Sequence, residues 1–179
     1  MKSEAEFKKI FKKSVKYYKG FAISLAAPML IGIPDLYVIM PGYMPVLLEA
    51  KWLGKIIRSH FHRKLQFTDM QINYINECCN VQHLAAFGLI GLIHYDEITA
   101  ILVKYGTPLF YILDSSYLNE CGYSKLYTKG GKTHQVFDIP KMFEIAQIPK
   151  ININKPIHIS HEIPCGSSLN LTAVSFSDT

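Results

Sequence analysis

This chain has few charges for its length and no cysteine framework. Charged residues make up 18% of its 179 positions against 49% apolar. That balance excludes an intrinsically disordered chain and fits one globular domain with a full core. Cys78 and Cys79 are adjacent, while Cys121 and Cys165 stand alone. There is thus no CxxC pair and no disulfide scaffold, and reduced thiols in a cytoplasmic compartment are expected. Long hydrophobic runs are missing too: Phe21 to Ile33 and Leu84 to Ile93 are too short, or too broken by proline, to span a bilayer. The N-terminus opens on a charged helix and not on a short apolar core, so no secretory signal is expected. No glycine-rich phosphate loop occurs, which removes the usual nucleotide-cofactor reading. His60-x-His62 and His158-x-x-His161 with Cys165 lack a second ligand pair at the customary zinc spacing.

What the chain does have is positive charge in two places. The net charge is +5, with Lys8, Lys9, Lys12, Lys13, Lys16 and Lys19 in one stretch. A second basic stretch runs from Lys51 to Lys64, where Trp52, Lys55, Arg58, His60, Phe61, His62, Arg63 and Lys64 interleave aromatic and cationic side chains. Basic faces of this kind favour polyanions such as nucleic acid, and the interleaving suits phosphates and exposed bases. A solvated lysine face kept for solubility is the plainer alternative for the first stretch, whose Lys12 and Lys16 are candidate DNA contacts.

The order of elements follows from periodicity and breakers. Residues 3 to 19 read as a helix, with Ser3 as N-cap, Glu6 three positions on, and Phe7, Ile10, Phe11, Ser14 and Tyr18 at helical steps. A short buried strand is expected over Phe21 to Ala27. Hairpin strands follow over Asp35 to Met40 and Val46 to Lys51, joined by Pro41-Gly42-Tyr43-Met44-Pro45 and covered on both faces. Residues 52 to 67 read as a connection, and Thr68 as the N-cap of a helix to about Cys79. Leu84 to Ile93, Ile98 to Lys104 and Leu109 to Leu113 read as a strand meander. Tyr117 to Lys132 reads as an exposed excursion, Pro140 to Ala146 as a short helix, and the end of the chain as a Ser/Thr-rich tail.

The stretch from Asp35 to Lys51 carries the chemistry. Asp35 opens an apolar run, and the second apolar run ends in Glu49-Ala50-Lys51. Folding the hairpin brings Asp35 beside Glu49 and Lys51 with hardly any other charge nearby. Two carboxylates and an amine on an apolar platform are costly unless a cation and a polyanion use them. Metal-dependent phosphodiester cleavage needs such a group. The plain alternative is Asp35 capping a strand and Glu49-x-Lys51 forming a cross-strand ion pair worth ~0.2–1 kcal/mol.

With Gly32-Ile33-Pro34-Asp35 before Glu49-Ala50-Lys51, and Gln71 on the following helix, residues 3 to 95 resemble the PD-(D/E)XK nuclease superfamily. Ser3-Glu4-Ala5-Glu6-Phe7 and Leu65 to Gln71 are similar to the VRR-NUC branch. Glu49-Ala50-Lys51 and the Phe87 to Leu113 meander resemble RecU-type Holliday junction resolvases, although Met70 stands where that branch carries a histidine. The resemblance implies an α/β, restriction-endonuclease-like αβββαβ core with a mixed central sheet flanked by helices. On that plan residues 1–115 are the nuclease core and 116–179 a C-terminal extension of the same domain.

It further implies a catalytic set of Glu4, Asp35, Glu49, Lys51 and Gln71, with Glu6 as the rival first-helix acid. Asp35, Glu49 and the Ala50 carbonyl would hold Mg²⁺, with Mn²⁺ able to substitute. Lys51 would position the water or the developing charge, and Gln71 would hold the lysine, the water or a phosphate oxygen. The implied activity is hydrolysis of branched or duplex DNA by a homodimer, in a bacterial or phage-infected cell, for phage or mobile-element DNA processing. No membrane and no nucleotide cofactor take part. A sequence-specific restriction or homing endonuclease, a non-cutting DNA-binding protein on this scaffold, and a purely structural α/β protein stay open beside it.

Overall fold

The computed structural model describes residues 3–25, 32–56, 67–81, 85–104, 112–131 and 134–151. Its elements run α1 (Glu4–Tyr17), β1 (Phe21–Ser24), β2 (Leu36–Ile39), β3 (Val46–Lys55), α2 (Asp69–Val81), β4 (Ala85–His94), β5 (Glu97–Val103), α3 (Ser115–Leu118), β6 (Gly122–Lys125), β7 (Tyr127–Thr128), β8 (Gln135–Val136) and α4 (Ile139–Ile145). The first six elements follow the order α, β, β, β, α, β, and the architecture is mixed α/β. Among the described residues no helix is long and apolar enough to cross a membrane.

β1 to β6 form one sheet in sequence order. The β3–β4 pair is parallel and every other pair antiparallel. Parallel neighbours need a crossover, and α2 supplies it. The central strands are apolar runs as such strands must be: Val46 to Ala50 are all buried, as are Gly88 to Leu92. One face of the sheet is closed by α1 and α4, with Phe7, Phe11, Leu36, Leu48, Leu89, Leu102, Phe137 and Phe143 in a single core. The other carries a smaller cluster of Ile90, Leu92, Ile101, Val103, Ile112 and Cys121, against which Phe67 and Tyr117 pack.

α1 starts where the capping signal put it. Ser3 is extended and its hydroxyl accepts the Glu6 N–H, while Glu4 and Glu6 sit at the positive end of the helix dipole. Its buried Ser14 donates to the Ile10 carbonyl at 2.9 Å and accepts the Phe137 N–H at 3.0 Å. That bond ties the helix to the segment entering α4.

Several expectations are corrected. Phe21–Ser24 is an edge strand with three of its four residues exposed, not a buried one. β2 is covered on one face only, since Leu36 and Val38 are buried while Ile39 is 39% exposed. β3 does not stop at Lys51 but continues to Lys55 through an irregularity between Trp52 and Gly54. The Leu109 to Leu113 strand does not form over its described residues, Ile112 and Leu113. The third strand of the meander is β6, inside the stretch read as an excursion. Gly122 explains why the pattern hid it: a Cβ there would lie 1.9 Å from the Met142 carbonyl oxygen, so α4 crosses the strand where only glycine fits. β6 joins the same sheet and α4 the same core, while β7 and β8 pair separately. The Ser/Thr-rich tail lies outside the described residues.

Candidate active site

The turn that delivers Asp35 is set by glycine. Gly32 has φ +96°, and a Cβ on it would sit 3.0 Å from the Met70 carbonyl oxygen, so the Gly-Ile-Pro-Asp turn runs directly against the first turn of α2. Pro34 is buried behind it. Asp35 then accepts the Ala50 N–H on Oδ2 at 2.9 Å, which pins its carboxylate to β3. The β2–β3 register pairs Leu36 with Leu48; one step further, Asp35 falls beside Glu49.

Glu49 and Lys51 are two residues apart on β3 and share a sheet face. It is the face of Ile90, the Cα partner of Lys51 on β4. The Glu49 side chain is only 5% exposed, and its Oε1 accepts the Lys51 ammonium at 2.9 Å. The same oxygen accepts a short hydrogen bond from Gln71 Nε2. α2 aims that amide. Thr68 Oγ1 accepts the Gln71 N–H at 3.3 Å, and Gln71 Oε1 accepts the Thr68 N–H at 2.9 Å. This reciprocal capping box commits the amide oxygen to the helix start and leaves the NH₂ to face Glu49. The Lys51 ammonium also lies 5.9 Å from the centre of the Phe67 ring, within reach of a cation–π contact.

From the other side, α1 adds Glu4 and Lys8. Lys8 Nζ donates to Glu4 Oε1 at 3.2 Å and to Asp35 Oδ1 at 2.9 Å. Glu4 is thereby linked to Asp35 through Lys8. Three carboxylates (Glu4, Asp35, Glu49) and two ammoniums (Lys8, Lys51) make a net charge of −1 when all are ionised. Burial lifts the Glu49 carboxyl above its ordinary range; the Lys51 hydrogen bond opposes this, and the negative charges of Asp35 and Glu4 add to it. Burial works against the Lys8 ammonium, but the bonds and charges of Asp35 and Glu4 outweigh it and raise its pKa. Glu49 forms the floor, while Asp35 at 20%, Lys8 at 23% and Glu4 at 40% side-chain exposure form an open rim.

Among the described residues no three His, Cys, Asp or Glu side chains cluster as a metal-holding group. A cation here would take the two carboxylates of Asp35 and Glu49, a backbone carbonyl such as that of Ala50, and water. That donor set suits Mg²⁺, which binds through one or two carboxylates and keeps several waters.

The expected DNA contacts fare unevenly. Lys12 donates to Ser24 Oγ at 3.1 Å on the exposed surface, and Lys16 is exposed in the last turn of α1. Lys55 pairs with Asp96 at 2.7 Å. Trp52 is not displayed for base stacking: its ring packs 5.6 Å from that of Phe7, against the main core. Continuing the alternation of Leu48 and Ala50 by one residue would have placed it there. Arg58, His60, His62, Arg63 and Lys64 lie outside the described residues, as do His158, His161 and Cys165. Reasoning from sequence missed Lys8, whose signal was the four-residue step from Glu4, and Phe67 beneath Lys51. Compared with known proteins, the chain matches no family model and no curated protein.

Proposed function

We propose that this protein is a Mg²⁺-dependent endodeoxyribonuclease of the PD-(D/E)XK type. The observation that carries the reading is the convergence of Asp35 from the turn before β2, Glu49 and Lys51 from β3, and Gln71 from α2. Acid, acid, amine and amide meet at one corner of the sheet, beside the buried apolar run of β3, and each is fixed by a neighbour. A bound Mg²⁺ ion would neutralise the scissile phosphate and lower the pKa of a water beside it. Asp35, held by the Ala50 N–H, and Glu49, held by Gln71, present hard oxygens in fixed positions. The Lys51 ammonium, 2.9 Å from Glu49, positions the attacking water and offsets charge building on the phosphate. Gln71 keeps Glu49 in one rotamer through the capping box. Preorganisation of this kind is what such chemistry asks of a protein.

The substrate we assign is branched or otherwise distorted duplex DNA, following the likeness to RecU-type resolvases; the exposed lysines of α1 favour a polyanion of some kind. Two copies of the chain would cut two strands symmetrically. A second reading is a structural network that only ties α1, β2, β3 and α2 together. It is favoured by the full pairing of the site, since among the described residues no buried side-chain polar atom lacks a partner.

The test is incubation of the protein with labelled four-way junction, Y-fork, linear duplex and single-stranded DNA in Mg²⁺ and in Mn²⁺. The proposal expects cutting of branched substrates in preference to linear ones. It also expects Glu49→Gln and Lys51→Ala to abolish cutting while salt-sensitive DNA affinity persists. Preferential cutting at one linear sequence would move the reading to a restriction or homing type. Binding without cutting in any metal would leave only the scaffold, and neither binding nor cutting would favour the structural network.

A further inference from the structure

Lys8 is the charged member of the site that the sequence reading left among the surface lysines, and its position is informative. An i,i+4 Glu–Lys pair on a helix surface is commonplace, but Lys8 also reaches 27 residues along the chain to Asp35. Asp35 has two carboxylate oxygens. Oδ2 is committed to the Ala50 N–H, and Oδ1 is the one left facing the rim, where the Lys8 ammonium sits at 2.9 Å. The Lys8 side chain is 23% exposed, so this bond is partly shielded from water.

A divalent ion using Oδ1 and an ammonium on the same oxygen would be like charges side by side at a rim only partly open to water, which is costly. The flexible four-carbon stem of lysine lets its head group swing out into water at little expense.

We infer that Lys8 competes with the divalent cation for the Asp35 carboxylate, so that loading of the site displaces its ammonium from Oδ1. This inference rests on the metal-dependent reading above and adds a threshold to it. Lys8 keeps the carboxylates satisfied and in place, and sets the cation concentration at which the site fills. Lys8 is on this account a positioning residue for Asp35, not a catalytic one.

The experiment is calorimetric titration of the full chain with MnCl₂ alone, paired with thermal melts with and without saturating Mn²⁺. Lys8→Met removes the competitor, so its Mn²⁺ affinity should rise about tenfold or more. Its Tm should fall without Mn²⁺, where Asp35 and Glu4 lose their partner, and recover when Mn²⁺ is added. Lys8→Arg keeps the charge and should stay near the wild-type affinity. If Lys8→Met does not fold, Lys8→Gln, which keeps a donor without the charge, carries the same expectation. Measurable wild-type binding that is unchanged or weaker in the neutral variants overturns this inference and leaves the nuclease reading intact. Absence of Mn²⁺ binding in every protein removes both.

Discussion

Strand β3 carries two lysine–carboxylate pairs whose geometry is alike and whose surroundings are not. Lys51 meets Glu49 at 2.9 Å, with side-chain exposures of 27% and 5%. Lys55 meets Asp96 at 2.7 Å, with exposures of 64% and 84%. The shorter contact is the weaker determinant of structure. In the exposed pair water screens the attraction, and the only visible consequence is that Lys55 holds the Asp96 carboxyl below its usual range. In the buried pair the removal of Glu49 from water, joined by the negative charges of Asp35 and Glu4, outweighs what Lys51 returns, and the carboxyl shifts the other way. Burial, not distance, separates the two carboxyls and the direction in which each is shifted.

The largest effect should come from breaking the buried pair. Lys51→Met leaves Glu49 under the sheet without its cation. Removing one partner of a fully buried pair costs about 3–5 kcal/mol, and the partial exposure of Lys51 brings the expectation to about 2–3 kcal/mol at neutral pH. Denaturant unfolding at constant m-value would measure it; a loss below about 0.5 kcal/mol would put Glu49 in a far wetter setting.

A pH series sharpens the contrast, because the two acids have opposite signs. The raised Glu49 value means the folded protein holds that proton more tightly than the unfolded chain. Its contribution to stability is therefore fully present below the ordinary 4.5 and is lost as pH rises through the raised value. The depressed Asp96 value acts in reverse: its contribution is present above the ordinary 3.8 and lost as pH falls through the lowered value. Glu49→Gln should remove a decline in stability on the alkaline side of 4.5. Asp96→Asn should remove a loss on the acid side of 3.8. Melting curves across this range that move the same way for both variants would refute the comparison.

The smallest effect belongs to Lys55→Ala, which should lower Tm only slightly at neutral pH, and by less as salt is raised. Asp96 sits at φ 61° in the turn after His94, so the tight hairpin between β4 and β5, and not the ion pair, fixes that corner.

The same contrast explains what could be read from the chain. Asp35, Glu49 and Lys51 were visible because a charge inside an apolar strand is costly and therefore conspicuous, and Gln71 only through the family resemblance, since its capping bonds to Thr68 emerge in the structure. The order of the first six elements was visible because long apolar runs alternate with proline- and glycine-rich turns. Lys8 shares a helical stripe with Lys12 and Lys16; its four-residue step from Glu4 marks an ion pair, but only the Gly32 turn, which carries Asp35 toward the helix, gives it a place in the site. β6 was hidden for a similar reason. Its Gly-Tyr-Ser-Lys sequence lacks the pattern of a strand because Gly122 answers to the backbone of α4 and not to its own pleat. Local physics identified the groups that are expensive to bury, while close approaches between distant segments left no local trace.

The central claim is that Glu49 is kept in its buried position for chemistry and not for stability. It is tested most directly by measuring, on the same Glu49→Gln preparation, Mg²⁺-dependent cleavage of labelled branched DNA and the free energy of unfolding. The account predicts that cleavage is abolished while stability is unchanged or higher, as expected when a strained functional charge is neutralised. Cleavage at the wild-type rate, or a clear loss of stability in a protein whose wild type cuts nothing, would contradict it.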